Sequence, residues 1–156
     1  MKRVTQLAAS LALIVSLTLA GTVKGGDHVP FKGQGSFTAT GQTVDPATGN
    51  LIITADIAGE FSHLGQTTGS ATEILFAPDY IFFTIDGTVV AANGDELFVV
   101  VEGNFIDSAG DSVGTFSITG GTGRFACASG GGTILSFNDG ALFQIDGEIS
   151  TVGSGK

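Results

Sequence analysis

Few side chains in this 156-residue sequence are equipped for chemistry. There are two histidines, His28 and His63, one cysteine, Cys127, and 15 carboxylates against 6 Lys and Arg. A single cysteine excludes an intrachain disulfide and a thiolate-rich metal site. Ser62 precedes His63, but neighbouring strand residues point to opposite faces, so this spacing does not assemble a nucleophile with its base. His63 therefore reads as a turn or barrel-end residue, with a pocket-lining acid or base as the chemical alternative. Cys127 sits between Ala126 and Ala128 with only Arg124 nearby to lower its pKa, and reads as a small buried hydrophobe. Arg124 is the only basic residue between Lys32 and Lys156. It reads as an ion-pair partner pinning a connection to a strand end, or as an anion anchor at a ligand mouth. His63 and Arg124 are thus the two candidate ligand-binding residues, and no catalytic residue is assigned.

The remaining charge is acidic, with a formal net charge of −9. That argues against a nucleic-acid partner, which is held by Lys and Arg on phosphates. Asp56, Glu60, Asp86, Glu102, Asp146 and Glu148 fall on outward positions by alternation and read as a solvated surface. Asp107 to Asp111 lacks the spacing of a calcium loop, so no metal site is expected. Gly121-Thr122-Gly123-Arg124-Phe125-Ala126 matches the G-x-G-x-x-A dinucleotide pattern. That motif needs a long helix after it, and Gly130-Gly131-Gly132 ends any helix within about two turns. No cofactor is expected.

The elements that must carry these residues are strands. From Phe31 onward the apolar residues alternate with period two. Ile53, Ala55, Ile57, Gly59 and Phe61 share one face, as do Phe83, Ile85, Gly87 and Val89. Leu97, Val99, Val101, Gly103 and Phe105 form a third set, and Ala141, Phe143, Ile145, Gly147 and Ile149 a fourth. Weaker strands are predicted over 33–40, 67–76, 113–119 and 131–137. Turn clusters such as Asp45-Pro46, Asn93-Gly94 and Asp139-Gly140 separate them, and the gaps are too short for crossover helices. Consecutive strands should pair antiparallel as a meander. Gly59, Gly87, Gly103 and Gly147 each lie on the apolar face of a strand, where glycine is normally unfavourable. A small closed barrel explains them, because its strands bend sharply and its interior is crowded. The alternative is a sandwich in which each glycine leaves room for a phenylalanine. The predicted fold is all-β, an eight-stranded antiparallel up-and-down barrel.

The chain start reads as an address. Lys2 and Arg3 precede an apolar run over 7–19, and Thr18 and Ala20 place small residues for cleavage before Gly21. The run falls short of the ~20 residues a membrane span needs. Residues 1–20 are expected to be a signal peptide, 21–30 a flexible lead-in, 31–151 the barrel and 152–156 a tail. The product would be secreted or periplasmic, with no membrane span after processing.

Gly120-Gly121-Thr122-Gly123-Arg124-Phe125 is the most distinctive segment. It resembles the Gly-Gly-Thr-Gly-basic-Phe signature of the dirigent and allene oxide cyclase barrel superfamily, and Ser62-His63-Leu64-Gly65 and Ala92-Asn93-Gly94-Asp95 look like turns in small secreted bacterial members of that group. The resemblance covers roughly 31–151. It implies an eight-stranded barrel in which Gly120, Gly121, Gly123 and Phe125 build a structural bridge between two late strands. The functional expectation is an exported, non-catalytic barrel that holds a small apolar ligand or serves as a stable extracellular module. The alternative is an isomerase or cyclase of the allene oxide cyclase type, acting on an unsaturated lipid-like substrate. A buried carboxylate, or His63, inside an apolar cavity of at least ~300 Å3 would favour the latter.

Overall fold

A computed structural model describes residues 27–151. The expected signal peptide, most of the lead-in and the tail lie outside the described residues. The strands are β1 (Val29–Val44), β2 (Leu51–Phe61), β3 (Gly65–Leu75), β4 (Phe82–Val90), β5 (Glu96–Phe105), β6 (Ser112–Gly121), β7 (Ser129–Phe137) and β8 (Leu142–Ser150). They form one closed barrel in chain order, every neighbour antiparallel. Val29 to Ser36 of β1 pair with β8, while Gly33 to Val44 pair with β2. That shared strand closes the sheet and excludes the sandwich.

Closure leaves no free edge to be satisfied, and alternation fills the inside. Phe31, Phe61 and Phe116 pack there, with Phe31 stacked 6.1 Å from Phe61 and edge-on 6.0 Å from Phe116. Such ring pairs add modestly to the area they bury. The inward glycines make room. A Cβ on Gly103 would lie 2.6 Å from Cζ of Phe83, and one on Gly59 would lie 3.0 Å from Cε2 of Phe61. One on Gly147 would meet backbone, 2.8 Å from Cα of Gly132. Gly87 is roomier, its nearest neighbour being Cγ2 of Val99 at 3.1 Å.

The two ends of the barrel differ. At one end lie the chain start and the turns after β2, β4 and β6. There Leu64, Leu97, Phe125 and Ile149 are buried almost completely. Phe125 belongs to a single 3-10 turn, Gly123–Phe125, in the β6–β7 connection. Thr122 ties that connection to β5, its N–H donating to Glu96 O at 2.9 Å and its Oγ1 accepting from Glu96 N–H at 2.9 Å. At the other end the turns associate in pairs. Tyr80 Oη donates to Gly49 O at 3.0 Å, and the Asn138 N–H donates to Asp111 Oδ1 at 3.1 Å. Among the described residues no hydrogen bond joins one pair to the other.

Candidate functional site

The sealed end holds both residues singled out by sequence. His63 occupies the β2–β3 turn with φ 68°, and its Nε2 lies 3.0 Å from Pro30 O. Arg124 donates from a guanidinium nitrogen to His63 O at 2.7 Å. Its Nε is 3.9 Å from Asp95 Oδ2, and the guanidinium carbon stands 4.6 Å from the Phe125 ring centre. The structure therefore brings His63 and Arg124 together as a clasp between turns. Both side chains are on the exposed surface, and neither lines the interior. Gly120 and Gly121 close β6, Gly123 opens the 3-10 turn with φ 53°, and Phe125 plugs the barrel. Cys127, expected to be buried, is exposed instead. Phe125 and Ala128 take the inward places of that segment, which turns Cys127 outward.

Above the plug the barrel is hollow. The cavity has a volume of about 490 Å3 and is lined mostly by apolar groups. Phe61, Leu64, Val89 and Phe116 line its floor; Ile53, Ile85, Val99 and Ile145 line its wall. It reaches toward Phe37 and Ala39 and the β7–β8 turn at Asp139 to Ala141. At that point β1 has outrun its pairing with β8, which stops at Ser36 opposite Leu142. The rim of the same end exposes apolar residues: Phe76, Ile81, Phe82 and Ile106.

One carboxyl stands in this cavity. Glu73 lies in β3 between inward Ala71 and Leu75, opposite Ile53 of β2 and Ile85 of β4. It is 9% exposed and makes no hydrogen bond or ion pair with any described residue. Loss of hydration pushes its pKa up from 4.5 to about 7, since nothing nearby stabilises the charged form. Such a group changes charge near neutral pH and can hold, donate or accept a proton there. The other polar lining groups are the Ser112 and Ser136 hydroxyls, 2.6 Å apart and bonded to each other, and Asp139 at the mouth. Among the described residues no cluster of His, Cys, Asp and Glu is placed to hold a metal ion. No helix there is long and apolar enough to cross a membrane.

Glu73 was not among the candidates read from sequence. The signal was its parity with Thr67, Gly69, Ala71 and Leu75. It was masked because the opposite parity carries Ile74 and Phe76, so neither face of β3 looks clearly apolar. In comparisons with family models, curated proteins and solved structures, the chain matches none.

Proposed function

We propose that the barrel is an exported receptor for one small, predominantly apolar molecule held in its interior. The carrying observation is the cavity of about 490 Å3, open at one end and walled by Phe, Ile and Val side chains. Its volume falls in the range of roughly 300–1,000 Å3 typical of ligand pockets. Apolar walls of this kind bind by removing ligand surface from water, and the preformed barrel limits the ordering cost. Export is supported by Lys2, Arg3 and the short apolar run after them. Titration with a neutral apolar fluorophore tests the binding. Saturable binding is expected, and Val99→Phe, which fills the cavity from its wall, should abolish it while the barrel stays folded. Equal binding to both proteins would place the fluorophore elsewhere and sink the reading.

Glu73 favours a second reading, an isomerase or cyclase of the allene oxide cyclase type acting on an unsaturated lipid-like substrate. A carboxyl with pKa about 7 in an apolar cavity is suited to general acid or base work. The resemblance of Gly120 to Phe125 to that superfamily's signature points the same way. Turnover of an unsaturated fatty epoxide that is lost in Glu73→Gln would support it. Turnover equal in both proteins, or none at all, would leave the receptor alone.

A further inference from the structure

Resting on the receptor reading, we infer that the ligand is a hydrophobic amine, its ammonium held by Glu73 and its tail directed toward the sealed end. The first ground is the sign of the lining. Glu73 points into the cavity and Asp139 lies at its mouth, and no Lys, Arg or His among the described residues lines it. A fatty acid would bring its carboxylate into that space beside an acidic side chain, with no cation to meet it. The second ground is the isolation of Glu73. It is nine-tenths buried, without a partner, and pointed into the space a ligand would fill. Its neighbours β2 and β4 present Ile53, Ala55, Ile85 and Gly87 on the inner face, none of which titrates or is charged. Folding has already stripped this carboxyl of water, so pairing with an ammonium adds little further dehydration on the protein's side. A charge-assisted hydrogen bond in such surroundings is stronger than one at the surface.

Position sets the orientation. Glu73 is two residues from the open-end terminus of β3, while Phe61, Leu64 and Val89 lie deeper toward the sealed end. An amine entering tail first would reach the floor with its alkyl chain and leave its head at Glu73. Asp139 at the mouth would attract the cation on approach without contacting it in the bound state.

The test compares n-octylamine, n-octanol and octanoate, which share one chain length and differ in head group, by calorimetry at about pH 8, above the Glu73 pKa. Octylamine is expected to bind at least about tenfold tighter than octanol, with octanoate weakest. Glu73→Gln keeps the shape of the side chain and should retain octanol binding while erasing the amine advantage. Octanol binding as tightly as octylamine to wild type would overturn the amine inference and leave the cavity reading intact. So would an amine advantage that survives in Glu73→Gln. Failure of all three probes, together with failure of the neutral fluorophore, would remove the cavity reading and this inference with it.

Discussion

The two ends of this barrel are built from the same kind of strand, yet one is solid and the other hollow. At the solid end, Phe125 is fully buried and the three turns are cross-tied through Arg124, Asp95, Thr122 and Glu96. At the hollow end the turns are tied, among the described residues, only within themselves and in two pairs; Asp45, for one, accepts from the Ala47 N–H at 2.9 Å and from the Thr48 hydroxyl at 2.6 Å. No described residue there supplies a plug, and β1 diverges from β8. An eight-stranded barrel thus need not choose between being filled and being a container. Its small bore can be filled by side chains over part of its length and left open over the rest. The 3-10 turn is the device that decides, because it folds one aromatic ring inward across the end.

The largest test of this contrast removes the plug. Phe125→Ala should cost about 3–5 kcal/mol in denaturant melts, as for other fully buried rings. It would also join the cavity to solvent at both ends. A small loss would mean that the sealed end is held by its hydrogen bonds rather than by packing.

Glu73 gives the next effect, with a defined sign. Its proton is bound more tightly in the folded protein than in the unfolded chain. Between pH 4.5 and about 7 the native state therefore holds more protons, and stability falls as pH rises through that window. The full change is at most roughly 3 kcal/mol. Glu73→Gln should flatten this slope and exceed wild type in stability above neutral pH. Parallel pH profiles for the two proteins would mean that Glu73 is solvated.

Two glycines of like parity should differ in the same way. Gly103→Ala places a Cβ 2.6 Å from Phe83 and 2.7 Å from Val113 O, and should cost ~1–3 kcal/mol. Gly87→Ala has one tight contact, Val99 Cγ2 at 3.1 Å, and that side chain borders the cavity into which it can move. Its cost should stay within ~0.5 kcal/mol. Equal costs would mean that the space beside Gly87 is not free.

Arg124→Ala should have the smallest effect, ~1 kcal/mol or less by thermal melt, because nearly half of the side chain is exposed to water. Arg124→Lys should recover only part of that loss, since Lys lacks the planar fork that reaches both His63 O and Asp95.

The barrel was legible in the sequence wherever one face is apolar and the other polar. The face from Ile53 to Phe61 alternates cleanly and lies wholly within β2, Leu51–Phe61. The first strand was predicted over 33–40, but β1 spans Val29–Val44. Its outer part, Gly41 to Val44, is exposed on both faces, so burial imposes no alternation there. Glu73 was illegible for a related reason, with apolar Ile74 and polar Glu73 blurring the two faces of β3. The hollow itself depends on where β1 leaves β8, a register property that no local pattern encodes.

The most direct measurement is a carbon-detected NMR titration of the glutamate carboxyls in the ligand-free protein, with Glu73→Gln for assignment. One carboxyl should titrate near pH 7 and vanish from the variant, as a carboxyl isolated in an apolar cavity requires. If every glutamate, Glu73 included, titrates in the ordinary range near 4.3, the cavity does not shield it from water and the hollow end is not an apolar ligand site.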